Sequence, residues 1–268
     1  MTIVKFIFNS NLWLAAGATA LSAFCQLYLL GEVEVGLLSL TFFYFIFAYT
    51  IHGIKNLKKN RLFDQSAFLY YQSKLSLWIG AFSLLFYGIS FIDLPEVIIY
   101  IGITYAFLGS VYGSFKLPLS RRYAKDLLSA KTIGTVFIIT SFLIILPFNL
   151  DNEPNKNRYC LLLYFIGVHV LCNTVMGDLR DIQVDKANRV ETFVTKFGFE
   201  KTKYLLILIL LCSVVFFIMT KQYVFIATFI AVIISLLIIK PNSKIITYHY
   251  IDCVHFIPLL SFLIISIQ

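Results

Sequence analysis

The sequence predicts an all-α integral membrane protein, with nine transmembrane helices in one bundle around a central cavity. Three observations predict it. Of 268 residues, 59% are hydrophobic and only 13% charged, with a mean hydropathy of +0.85, well outside the composition of soluble globular domains. Apolar runs recur at the length that a hydrocarbon core roughly 30 Å thick demands, about 20 residues per helix. Finally, the basic residues segregate to alternate loops, as they do when one side of a membrane faces the cytoplasm.

The runs can be taken in order. The first, 11–30, follows a start with no basic region and no small-residue cleavage site, so it is read as a retained span. The second, 36–54, runs into the basic stretch that begins at Lys55. Runs 74–92 and 95–113 are divided only by Asp93-Leu94-Pro95, and the fifth, 129–149, follows a long basic loop. The polar connection from Asp151 to Arg158 leads to the sixth, 159–177. Runs 203–220 and 222–239 meet at Lys221, and the last covers 246–266.

With nine spans and the N-terminus inside, all of the 22 basic residues except Lys156, Arg158 and Lys221 fall on the inner side. The outer loops hold Glu32, Glu34, Asp93, Glu96, Asp151 and Glu153. One missed span would invert everything after it, so the split supports both count and direction. The expected location is a bacterial inner membrane, with the C-terminus outside. The net charge of +8 then reflects topology rather than nucleic-acid binding. The five cysteines have no metal-type spacing and read as small apolar residues. No linker composition interrupts residues 1–268, so one membrane domain is expected. Spans two and six each run inward into a polar extension, as a parallel duplication of spans 1–4 and 5–8 would produce.

The scarce acids gather in one place. Asp178, Asp181 and Asp185 follow directly on the sixth run. At about 100° per residue, positions i, i+3 and i+7 fall within roughly 60° of one another, so the three carboxylates share a helix face. Asn173 lies about 140° from Asp178 and joins that face only where the helix is irregular. Hard oxygen ligands suit Mg²⁺, which commonly binds one or two carboxylates plus substrate phosphates. Arg180, Lys186 and Arg189 are interleaved and suit phosphate oxygens. A solvated charged loop is the plainer alternative.

The run DLRDIQVDKANRVETFVTKFG resembles the second aspartate-rich motif of the UbiA superfamily of intramembrane prenyltransferases, with Asp178, Asp181, Asp185, Thr192 and Gly198 at matching positions. VYGSFKLPLSRRYAKDLLSA resembles the family's basic loop after span four, through Tyr112, Lys116, Arg121, Arg122 and Lys125. HYIDCVHFIPLL is similar to an Asp-containing final helix of some bacterial members. The resemblance implies nine helices with the N-terminus inside and Mg²⁺ held by the aspartates. It also implies a prenyl diphosphate donor and an aromatic or other lipophilic acceptor in a membrane-lipid setting. No nucleic-acid partner or obligate protein partner is expected.

The family's first motif is degenerate. Ala48, His52 and Asn56 occupy its three polar positions, so both of its acids are missing, and Asp64 is too far along to replace them. In one reading Lys55, Lys58 or Lys59 supplies the missing positive charge, His52 contacts diphosphate or acceptor, and the chain remains an enzyme. In another it binds a lipid diphosphate without catalysing transfer. A reading of a different class is a secondary transporter that uses Asp252 with the membrane histidines His169, His249 and His255 as a relay. An interhelical hydrogen-bond cluster is the structural alternative for those same groups.

Overall fold

The computed structural model describes residue 7 and residues 11–58, 70–92, 94–111, 130–151, 155–187, 189–240 and 252–267. Among them every regular element is helical. They are α1 (Leu12–Leu30), α2 (Val35–Lys58), α3 (Lys74–Ile89), α4 (Glu96–Val111), α5 (Ala130–Phe148), α6 (Lys156–Ala187), α7 (Phe193–Phe197), α8 (Phe199–Met219) and α9 (Tyr223–Ile238). A 3-10 turn at Asp252–Phe256 then leads into α10 (Ile257–Ile267).

Four segments are long and apolar enough to cross a membrane: Leu12–Leu30, Val35–Lys55, Lys156–Gln183 and Phe199–Met219. The other expected spans correspond to shorter apolar helices, such as the 16 residues of α3 and of α9. At 1.5 Å per residue, 16 residues reach only about 24 Å. The nine-span expectation is therefore met at full length by these four among the described residues. Large apolar side chains are exposed along the helices, among them Trp78 and Phe82 on α3 and Leu208 and Val215 on α8. In water such surface would be costly, whereas lipid is a natural neighbour for it.

The contacts divide the chain into two compact units, Met1–Ser114 with Ile145–Pro154, and Phe115–Ile144 with Asn155–Gln268. In the first, α2 packs against α1, α3 and α4. A polar knot holds its first corner. The buried Gln26 side chain donates to Ser22 Oγ at 3.2 Å and accepts from the Glu34 backbone N–H at 2.7 Å, so a group that α2 leaves unpaired at its start is satisfied from α1. Thr41 Oγ1 shares a 3.2 Å hydrogen bond with the same Ser22 hydroxyl. Tyr87 on α3 donates to the Gly102 carbonyl of α4 at 2.7 Å. The Tyr71 ring lies directly on Gly53 of α2, and its hydroxyl oxygen accepts a hydrogen bond from the Asn11 side-chain amide at 3.1 Å.

The second unit is built on aromatic packing. Phe165 of α6, Phe217 of α8, and Phe225 and Phe229 of α9 are all fully buried. Phe165 stacks on Phe225 at 4.5 Å between centroids, and Phe217 meets Phe225 at 4.7 Å. Offset and tilted pairs at these distances contribute about 0.5–1.5 kcal/mol each beyond area burial. Tyr164 and Ser213 share a 2.8 Å hydrogen bond between α6 and α8. Lys203, nearly buried at the start of α8, extends its ammonium to the Ile239 carbonyl just past α9, at 3.5 Å. That carbonyl belongs to the orphan acceptors a helix end leaves.

Candidate functional site

Helix α6 positions the acids. It continues without a break through Ala187, ten residues beyond the expected end of the sixth span, because Asp, Arg, Gln and Lys are all tolerated inside a helix. Asp178, Asp181 and Asp185 therefore stand on one helical face, as their spacing predicts.

Their surroundings differ. Asp178 is 1% exposed and accepts a hydrogen bond from the hydroxyl of Thr132, on α5, at 2.9 Å. Asp181 is partly exposed and gripped by its neighbour Arg180: Nε donates to Oδ1 at 2.7 Å and Nη2 to Oδ2 at 3.1 Å. The guanidinium expected to meet phosphate thus meets a carboxylate here. Asp185 is 7% exposed and sits at the helix end, while Lys186 and Arg189 are exposed.

The end of α6 is shaped by its backbone. The Val190 N–H donates to the Asp185 carbonyl at 2.8 Å and the Arg189 N–H to the Lys186 carbonyl at 3.1 Å, the two bonds of a Schellman cap. Such a cap needs one residue in the left-handed region, and here Arg189 occupies it with φ 56° instead of the usual glycine. The chain restarts at once. Thr192 caps the short α7 by accepting from the Thr195 N–H at 3.2 Å, and Thr195 returns the bond to the Thr192 N–H at 2.8 Å. Gly198 then adopts φ 87° and ψ 166°, a conformation essentially restricted to glycine, which ends α7 and admits α8. The Thr and Gly of the motif therefore have local structural roles.

Asn173 lies elsewhere. It bonds His255 through its amide nitrogen, and His255 Nδ1 is 2.9 Å from His169 Nε2. His169 and Asp178 are nine residues apart, which turns them to opposite sides of α6 and separates them by roughly 14 Å along it. The regular helix leaves Asn173 off the acid face.

The first unit holds His52 and Lys55, both half-buried on α2. Asn56 is on the same helix, with a side chain outside the described residues, as are those of Lys58 and Asp252. Tyr112, Lys116, Arg121, Arg122, Lys125, Lys59, Asp64 and His249 also lie outside the described residues.

Among the described residues no three His, Cys, Asp or Glu side chains converge as a ready-made metal cage. The donor chemistry nonetheless fits Mg²⁺, which takes one or two carboxylates and completes its octahedron with water and substrate oxygens. Asp178 offers a buried carboxylate that a hydroxyl helps to orient, whereas Asp181 would have to leave Arg180 first. Sequence reasoning missed Thr132, because nothing in an apolar helix marks which threonine faces an acid 46 residues away.

The chain is thus an all-α membrane protein with an acidic, base-flanked helix end. No family model and no curated protein matches it. A solved structure of a digeranylgeranylglyceryl phosphate synthase in membranes is similar in fold, with a TM-score of 0.57 over 98% of this chain and 97% of that one, at 14% identity.

Proposed function

We propose that the protein is an intramembrane prenyltransferase of the UbiA type, moving a prenyl group from its diphosphate to an aromatic or other lipophilic acceptor. The observation that carries this reading is the acid-ended α6, with Asp178 buried and oriented, in a chain whose fold parallels a membrane prenyl-lipid synthase from end to end.

In this reading Asp178 holds Mg²⁺, joined by Asp185 and by Asp181 once it parts from Arg180. When bound, the ion neutralises charge that develops on the leaving diphosphate. Lys186 and Arg189, exposed beside the acids, meet the diphosphate oxygens from the aqueous side. Released from Asp181, Arg180 adds a bidentate contact there. On the sequence resemblance, His52, Lys55 and Asn56 are the residues that stand in for the missing first acidic motif. By the family resemblance, Tyr112, Lys116, Arg121 and Lys125 contribute to binding the substrate. In the reaction the carbon–oxygen bond to diphosphate breaks, the acceptor's electron pair forms the new bond to that carbon, and the acceptor loses a proton. Apolar helices keep water from the allylic cation in between. The acids face the cytoplasm in this reading, and the prenyl tail lies in the membrane.

Purified protein incubated with labelled prenyl diphosphates, a panel of lipophilic acceptors and Mg²⁺ tests the reading. Diphosphate release and a prenylated product are expected, both lost in Asp178→Ala. If the wild type neither binds nor consumes any prenyl diphosphate with Mg²⁺ present, the enzyme reading is wrong.

A further inference from the structure

We propose that Thr132 is a positioning residue for the metal site, fixing the Asp178 carboxylate in the orientation that receives the cation; this rests on the prenyltransferase reading above. Thr132 and Asp178 are 0% and 1% exposed and come from different helices of the same compact unit. The 2.9 Å bond runs from Thr132 Oγ1 to Asp178 Oδ2. A threonine in a helix can bond back to a carbonyl in its own preceding turn, as Thr41 does to Leu37 and Thr174 to Val170. Thr132 spends its proton on the acid instead.

The choice of donor matters chemically. A guanidinium, such as the one that grips Asp181, orients a carboxylate but also cancels its charge. A hydroxyl orients without cancelling: it has one proton to give and adds no positive charge of its own. The β-branched side chain of threonine has few rotamers, which makes the hydroxyl a fixed point rather than a mobile one. Outer partners of this kind set the direction of ligand lone pairs, and removing them typically weakens metal affinity about 10- to 100-fold.

The test uses full-length protein in detergent, with Mn²⁺ as an electron paramagnetic resonance probe, titrated with and without a thiolodiphosphate analogue of the prenyl donor. Wild type is expected to bind Mn²⁺ with the analogue present. Thr132→Val, which keeps the shape and removes the hydroxyl, is expected to bind at least tenfold more weakly, and Thr132→Ser within threefold of wild type. Thr132→Ala serves as a second hydroxyl-free variant should the valine fail to fold, and thermal midpoints are measured alongside. In turnover, the loss should appear as a raised Mg²⁺ requirement that high Mg²⁺ partly restores. Unchanged Mn²⁺ affinity in the folded valine or alanine variant overturns the inference and leaves the prenyltransferase reading standing, as does a serine variant as weak as valine. A wild type that binds neither Mn²⁺ nor the analogue overturns the prenyltransferase reading itself, and this inference with it.

Discussion

His169 and His255, 86 residues apart in sequence, meet through a single 2.9 Å hydrogen bond between ring nitrogens inside the second compact unit. Asn173 extends the pair into a chain. With its amide nitrogen donating to His255 Nε2, His255 carries its proton on Nδ1 and gives it to His169 Nε2, which places the His169 proton on Nδ1. In that arrangement the His169 Nδ1 and Asn173 Oδ1 atoms end the chain buried, with no hydrogen-bond partner among the described residues.

A buried polar pair of this kind is costly to break from one side. Replacing either histidine by leucine should lower stability by about 1–3 kcal/mol, because the remaining ring loses its partner in an apolar setting. Replacing both should cost less than the two single losses added together. Thermal unfolding of the single and double variants in one detergent checks this, and strictly additive losses would show that the rings do not depend on each other.

Arg189 pays for its place in the Schellman cap with a left-handed backbone. Glycine adopts that conformation without steric cost, so Arg189→Gly should stabilise the fold by about 0.5–1 kcal/mol while weakening prenyl diphosphate binding. Opposite movements of thermal midpoint and ligand affinity are the expected signature. A variant that loses stability would mean that the side chain, not the backbone, dominates at this corner.

Gly198 presents the reverse case. Its φ of 87° and ψ of 166° admit no side chain without strain, so Gly198→Ala should cost about 1–3 kcal/mol and disturb the α7–α8 junction. Circular dichroism melts compared with Gly167→Ala, where an added Cβ meets nothing within 4 Å, separate the conformational effect from ordinary substitution.

The Arg180–Asp181 pair should compete with divalent ions. Removing the guanidinium in Arg180→Ala leaves the Asp181 carboxylate without that partner, so Mn²⁺ binding without any diphosphate should strengthen severalfold. Prenyl diphosphate binding should weaken at the same time, since a bidentate phosphate donor is gone. Equal Mn²⁺ affinity in wild type and variant would show that the pair does not guard the acid.

Much of this architecture was legible from the chain because lipid simplifies the code. Apolar runs marked the helices, and three acids at helical spacing marked a face that α6 preserves. The boundaries were harder. Hydropathy ends the sixth span at its last apolar residue, yet helical hydrogen bonding ignores polarity and carries α6 on to Ala187. Helix α7 escaped because its capping box uses Thr195 where Glu or Gln is the familiar partner. The meeting of Thr132 with Asp178 joins residues far apart in sequence, and no local pattern encodes it. His169 and His255 stood out as polar groups within apolar runs, and they bond each other, while the other expected members of their cluster, His249 and the Asp252 side chain, lie outside the described residues.

The length of α6 has one more consequence. Its 32 residues reach about 48 Å, whereas the hydrocarbon layer is roughly 30 Å thick. A single unbroken helix is therefore long enough to cross the hydrocarbon and extend beyond it, with its three carboxylates confined to the last ten residues.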